Sequence, residues 1–122
     1  MKYAIVALLL IHGLIHAMGF AGAWGLAQFE GASKTPTNFV AVDPDGPAVR
    51  ALGVLWMVAL AAFLVAAVLL MGDSAAWRPA AIAAAVTSMV VVALWWEDAP
   101  MGALANALVI AAVLFADRLE LA

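Results

Sequence analysis

Four long apolar stretches, almost free of charged residues, set the strongest limit on how this chain can fold. They cover approximately residues 3–27, 48–71, 77–96 and 101–121. A helix needs about 20 mostly apolar residues to cross the hydrocarbon core of a bilayer. Each stretch reaches or approaches that length. The sequence therefore predicts a single all-α domain over residues 1–122, an integral membrane bundle of four transmembrane helices.

The composition agrees with a protein that folds within lipid. Hydrophobic residues make up 69% of the chain and charged residues 11%, whereas soluble domains contain roughly 45–50% apolar and about 25% charged residues. The formal net charge is −3 and no basic cluster occurs, so we expect the lipid bilayer, and not nucleic acid, as a partner. Cysteine is absent, which excludes disulfides, thiolate catalysis and cysteine-ligated metal centres among these residues.

The basic residues favour one orientation of the four predicted spans. Four spans place both ends of the chain on one side of the membrane, together with Lys2, Arg78 and Arg118. The opposite side carries Lys34 and Arg50. Because cytoplasmic segments are usually richer in lysine and arginine, the distribution favours an N-in and C-in topology by a single basic residue. The first stretch is too long for the apolar core of a signal peptide, and we expect a membrane helix there.

Two histidines, His12 and His16, lie four residues apart near the middle of the first apolar stretch. Positions i and i+4 of a helix share one face and lie about 6 Å apart along the axis. An ionisable side chain inside the bilayer is costly and indicates a functional site. We predict that the pair binds a transition metal, a haem-like ligand or a proton. Two imidazoles on one face can chelate one metal, but a haem would need one of them and a ligand from elsewhere.

Other interpretations of the two histidines stay open. Each imidazole can instead bond a backbone carbonyl or a hydroxyl of the third stretch, such as Thr87 or Ser88, and serve packing alone. Methionines at middle depth, Met18, Met57 and Met89, could complete a copper(I) site with the imidazoles, because soft thioethers suit that ion. Methionine is also a common filler of gaps between helices.

Further polar residues lie toward one end of the predicted bundle. Asn106 lies inside the fourth stretch, and Glu97 and Asp98 form a carboxylate pair on the turn before it. In order from the acidic turn through Asn106 to the histidines, these residues would form a polar track for a proton or cation. Capping, solvation and bonding between helices are the structural alternatives. The predicted ligand or proton site thus comprises His12, His16 and Asn106, with support from Thr87, Ser88, Asp98 and Glu97.

The sequence contains no arrangement typical of an enzyme. It has no Glu-x-x-His pair, no Ser–His–Asp set and no glycine-rich phosphate loop. We therefore expect no catalytic activity. The alternative to a ligand or proton site is an accessory or structural subunit, which would pack through its alanine and glycine faces in a homo-oligomer or a larger membrane complex.

Two blocks of the sequence form recognisable patterns. The first block is Ile11-His12-x-x-x-His16-x-x-Gly19-Phe20, and the second is Trp96-x-Asp98-Ala99-x-x-Gly102-x-x-Ala105-Asn106. Both are similar to those of a group of small four-helix bacterial membrane proteins without an assigned activity. The resemblance implies the four-span topology and a location in the bacterial inner membrane, and it implies no particular reaction. It also groups five residues into one set: His12, His16, Asp98, Gly102 and Asn106.

Overall fold

The computed structural model describes residues 1–122 as four helices without any strand. The helices are α1 (Lys2–Ala23), α2 (Pro47–Met71), α3 (Trp77–Leu94) and α4 (Pro100–Leu114). Consecutive helices pack against each other, and α4 also touches α1, so the four close into a bundle. The all-helical prediction is confirmed.

Three of the helices, α1, α2 and α3, are long and apolar enough to cross a membrane. The fourth, α4, has 15 residues and is a shorter apolar helix. It ends at Leu114, whereas the hydropathy pattern predicted a helix to residue 121, and the chain from Phe115 to Glu120 forms turns. Arg78 Nη2 lies 2.7 Å from the Asp117 carboxylate, a contact that joins this segment to the start of α3.

The ends of α1 and α3 also fall short of the predicted limits of 27 and 96. Gly25 adopts φ +69°, a left-handed conformation that glycine accepts readily and that ends α1. The carbonyl of Leu94 accepts hydrogen bonds from the amides of Thr37 and Asn38 at 2.8 and 3.0 Å. Those loop amides take the place of the amides that would continue α3.

The bundle has two distinct ends. At the terminal end, Lys2 Nζ lies 2.9 Å from the Asp73 carboxylate and joins the start of α1 to the turn after α2. At the loop end, residues 24–46 fold against the last turn of α3, where the Trp95 indole donates to the carbonyl of Ser33 at 3.2 Å. The predicted site lies between these two ends.

Glycines let α1 approach α2 closely. A Cβ at Gly13 would lie 2.8 Å from Cβ of Phe63, and one at Gly53 would lie 2.8 Å from Cβ of Ala23. Close backbone approach through small residues is the usual source of packing energy between helices in lipid. The approach also presses the histidine face of α1 against the aromatic side chains of α2.

Candidate functional site

Four buried polar side chains from three helices meet in the interior of the bundle. His12 and His16 come from α1, Ser88 from α3 and Asn106 from α4, and no other polar or charged residue of the chain is buried. His12 is 7% exposed, His16 is 2% exposed, and the other two are fully buried. The two histidines share this position because they are four residues apart on one helical face.

Hydrogen bonds join these four residues into a closed ring, which we call the hydrogen-bond ring. His12 Nε2 lies 2.7 Å from Asn106 Oδ1, and Asn106 Nδ2 donates to Ser88 Oγ at 3.0 Å. Ser88 Oγ lies 2.7 Å from His16 Nε2, and His16 Nδ1 lies 2.7 Å from the carbonyl oxygen of His12. The ring therefore begins and ends on the same histidine.

The chemistry of the donors and acceptors fixes the direction of every bond in the ring. A carbonyl oxygen only accepts, so Nδ1 of His16 carries a hydrogen and, in the neutral imidazole, Nε2 accepts. The Ser88 hydroxyl then donates to His16 Nε2 and accepts from the Asn106 amide. The Asn106 oxygen accepts from Nε2–H of His12. All hydrogen bonds thus run in one sense around the ring, the arrangement in which each bond strengthens the next.

Apolar and aromatic side chains enclose the ring. The Phe63 ring lies 4.8 Å from the imidazole of His12 and 5.4 Å from that of His16, between ring centroids. The Trp56 indole lies 5.5 Å from the imidazole of His16. Gly102, in the first turn of α4, lies beside His12, since a Cβ there would be 4.0 Å from the imidazole Cε1. In such a setting, unpaired polar groups are costly and paired ones are strong.

The other residues of the predicted site lie elsewhere. Thr87 Oγ1 donates to the carbonyl of Ala83 at 2.9 Å, within its own helix. The Asp98 carboxylate accepts hydrogen bonds from the amide and hydroxyl of Ser33, at 2.6 and 3.2 Å, and does not cap α4. Glu97 is exposed at the loop end. The hydrogen-bond ring therefore does not extend to the acidic turn, and the residues do not form a continuous polar track.

The arrangement does not suit a metal held by both histidines. Three of the four imidazole nitrogens, His12 Nε2 and both nitrogens of His16, already bond protein groups. No group of three histidine, cysteine or acidic residues is placed to hold a metal ion. The methionines considered as copper ligands lie toward the outside of the bundle, where Met18, Met57 and Met89 are 47%, 38% and 37% exposed.

A second feature of the interior was missed in the sequence. A cavity of about 160 Å³ lies at the loop end, lined in part by Gly19, Trp56 and Trp95. Trp56 is 7% exposed, yet its Nε1 has no hydrogen-bond partner. The sequence offered one signal for this feature. Trp56 lies deep in an apolar stretch, whereas tryptophan in membrane proteins is enriched at the interfaces.

Comparison with known proteins found no match to a protein family, to a curated protein or to a solved structure.

Proposed function

We propose that this chain is a protein of the bacterial inner membrane that crosses the bilayer four times. With 15 residues, α4 rises only about 22 Å, less than a hydrocarbon core of about 30 Å. The turns after α4 extend its reach, because the carbonyl of Ala122 accepts hydrogen bonds from Trp77 and Arg78 at the start of α3. Since α4 begins beside the end of α3, the segment 100–122 runs the length of that helix, which supports a fourth crossing.

The distribution of basic residues supports an orientation with both ends in the cytoplasm. Lys2, Arg78 and Arg118 belong to the terminal end of the bundle. Lys34 and Arg50 belong to the loop end. Cytoplasmic segments carry an excess of lysine and arginine, so the terminal end is the one that we place in the cytoplasm.

We further infer that the hydrogen-bond ring is a proton-binding site and that His12 takes the proton. One observation carries this proposal: the ring uses every imidazole nitrogen except His12 Nδ1. A proton added at that nitrogen leaves the bond from His12 Nε2 to Asn106 in place and makes it charge-assisted. A proton added to His16 Nε2 must instead displace the hydroxyl hydrogen of Ser88. The site thus offers one place where a proton enters without breaking the ring.

A transition metal or haem-like ligand is less favoured by the same geometry. To ligate a metal, His16 would have to give up its bond to Ser88 or its bond to the carbonyl of His12. Each lost bond would leave a buried polar group unpaired, at about 1–3 kcal/mol. His12 Nδ1 alone would remain as a ligand.

Nitrogen NMR of histidine-labelled protein in detergent micelles tests the proton site, since the chain has only two histidines. We expect the Nε2–H tautomer at His12 and the Nδ1–H tautomer at His16 near neutral pH. On acidification, His12 should become the imidazolium while His16 keeps its tautomer. His12→Gln and His16→Gln assign the two signals, and elemental analysis of the same samples should find no stoichiometric metal.

Three results would contradict this proposal. Protonation of His16 before or together with His12 would show that the ring does not protect His16 Nε2. A stoichiometric metal that is lost in His12→Gln would show that the site binds a metal. If neither histidine takes a proton while the fold persists, the ring serves structure alone. The chain would then be better described as an accessory subunit of a homo-oligomer or a larger membrane complex.

A further inference from the structure

We propose that residues 37–42 of the long loop lie in the interface between lipid headgroups and acyl chains, with the Phe39 side chain inserted among the lipids. We call this segment the loop anchor. The proposal rests on the proposed membrane location of the chain, and it depends neither on the proton site nor on the number of crossings. Three features of the segment carry it: the exposure of Phe39, the strain in its backbone and the attachment of the segment to the end of α3.

The apolar side chains of the loop anchor are exposed. Phe39 is the most exposed large apolar side chain of the chain, at 79%, and Val40 beside it is 43% exposed. No charged residue occurs between Lys34 and Asp43. Removal of apolar surface from water is favourable in proportion to its area. The segment therefore suits an apolar partner better than it suits water.

The backbone at Phe39 is strained. Its φ is +66°, a left-handed conformation that a bulky side chain rarely adopts. The amide of Val40 donates to the carbonyl of Asn38 at 2.8 Å and closes a three-residue turn around Phe39. With a positive φ at its centre, such a turn is of the rare and strained kind. Glycine would adopt this conformation without strain, so the presence of phenylalanine indicates that its side chain is used.

The loop anchor is attached to the end of α3, a helix that is long and apolar enough to cross a membrane. Exposed apolar residues recur at every fourth position of α3 and form one face of it: Ile82, Val86 and Val90. One turn beyond this face, the carbonyl of Leu94 accepts the hydrogen bonds from the amides of Thr37 and Asn38. Phe39 is the next residue of the loop. The loop anchor thus adjoins the apolar outer face of α3 at the level where that helix ends.

The residues that follow α3 mark this level as a membrane boundary. The first two are tryptophans and the next two are acidic. Tryptophan is enriched where the hydrocarbon core meets the headgroups, and charged residues are costly inside that core. Thr37 also bonds across this boundary, because its hydroxyl accepts a hydrogen bond from the amide of Glu97 at 3.3 Å. The loop anchor therefore lies at the depth of the interface, where the Phe39 side chain reaches the acyl chains.

Electron paramagnetic resonance of a nitroxide attached to Ala41→Cys, in the full chain in phosphatidylcholine vesicles, tests the proposal. Ala41 is exposed within the loop anchor, and the chain has no other cysteine. Collisions of the label with dissolved oxygen report lipid, and collisions with a water-soluble nickel chelate report water. We expect a collision ratio between that of Val90→Cys, on the outer face of α3, and that of Asp45→Cys, whose carboxylate is 92% exposed. Because the loop anchor carries no charge, addition of phosphatidylglycerol should leave the ratio unchanged.

Substitutions of Phe39 in the labelled Ala41→Cys chain test whether this side chain holds the segment in the interface. Phe39→Ser should lose the intermediate ratio and give the water value of Asp45→Cys, because the apolar side chain is gone. Phe39→Trp keeps an aromatic residue suited to the interface and should retain the ratio. Leu26→Ser, which removes an apolar side chain 68% exposed in the same loop, is the matched control and should also retain it. Circular dichroism checks that each variant is folded.

Three results would overturn the loop anchor while leaving the membrane location intact. A water value at Ala41→Cys beside a lipid value at Val90→Cys would mean that the segment stands in water. Rare collisions with both reagents at Ala41→Cys would mean that protein, such as a second copy of the chain, covers the segment. An unchanged ratio in Phe39→Ser would mean that Phe39 does not hold the segment in place. A water value at Val90→Cys would instead contradict the membrane location on which the proposal rests.

Discussion

Ser88 is the residue on which the hydrogen-bond ring depends most, because its hydroxyl both donates and accepts. It accepts from the Asn106 amide and donates to His16 Nε2. No backbone group or second side chain of the structure takes either role. The neighbouring Thr87 has the same hydroxyl chemistry but bonds only the carbonyl of Ala83. Substitution of Ser88 and of Thr87 therefore distinguishes the contribution of the hydrogen-bond ring from that of a hydroxyl bonded within its own helix.

We predict that Ser88→Ala lowers the free energy of unfolding by about 1–3 kcal/mol, because it leaves two buried polar groups unpaired. Thr87→Ala should change it by less than about 0.5 kcal/mol, because its bond is local and the residue is only partly buried. Denaturation in mixed micelles, followed by circular dichroism, measures both. Equal effects of the two variants would mean that the ring contributes nothing beyond an ordinary hydroxyl.

At the scale of the helix, the contact between α1 and α2 depends on where glycine occurs in α1. Gly13 lies against Phe63, and Phe63 in turn packs on both imidazoles. The close approach therefore links helix packing to the position of the hydrogen-bond ring. Gly22, near the end of the same helix, contributes no such contact, because a Cβ added there would meet nothing within 4 Å.

We predict that Gly13→Ala destabilises the bundle by about 1–3 kcal/mol, because the added methyl group forces α1 away from α2. Gly22→Ala should leave the stability unchanged or raise it slightly, since alanine favours a helix over glycine. Thermal unfolding of the two variants in the same detergent gives the comparison. If Gly13→Ala is as stable as Gly22→Ala, then close packing at Gly13 is not what holds α1 in place.

The segment after α4 is held by a small set of contacts at the terminal end. Arg78 bonds the Asp117 carboxylate and the carbonyl of Ala122, but Asp117 is 89% exposed. Exposed ion pairs add little to global stability.

We therefore expect Arg78→Gln to change the unfolding free energy by less than about 1 kcal/mol, yet to speed hydrogen exchange at the amides of residues 119–121. Arg118→Gln, which removes an exposed arginine from the same segment, is the control and should leave that exchange unchanged.

At the scale of the whole molecule, the number of crossings decides which ends share a side of the membrane. Four crossings place the turn after α2 and the segment after α4 together, opposite the long loop. Three crossings, with α4 lying at the loop end, would place the segment after α4 on the side of that loop. The absence of cysteine makes single introduced thiols specific reporters of these positions.

We predict that Ala75→Cys and Glu120→Cys, which leave every basic residue in place, are labelled from the cytoplasmic side by a maleimide that cannot cross the membrane. Glu30→Cys should be labelled only from the opposite side. All three positions are exposed, so a lack of labelling would reflect the membrane and not burial. Labelling of Glu120→Cys together with Glu30→Cys would rule out the fourth crossing, and labelling of all three from the opposite sides would reverse the orientation.

The sequence by itself predicted the helices and a wider set of polar residues that contains the four of the hydrogen-bond ring. Apolar stretches must form helices in lipid, because every backbone polar group there needs an internal partner. Within those stretches the polar residues are conspicuous, since polar groups are costly there: His12, His16, Thr87, Ser88 and Asn106. The end of α4 was predicted too late in the chain, because hydropathy registers the apolar residues after 114 but not the turns that the chain forms there.

Only the tertiary structure decided how those residues are used. Thr87 and Ser88 are adjacent in sequence, but neighbouring residues of a helix point about 100° apart. The rotation of α3 therefore decides which of these two residues lies against His16, and the packing of the whole bundle sets that rotation. The same holds for Asp98, which bonds Ser33 of the long loop, and for Trp56, whose buried indole nitrogen has no hydrogen-bond partner. Periodicity identifies a face of one helix, whereas contacts between helices depend on rotations and offsets that no single stretch contains.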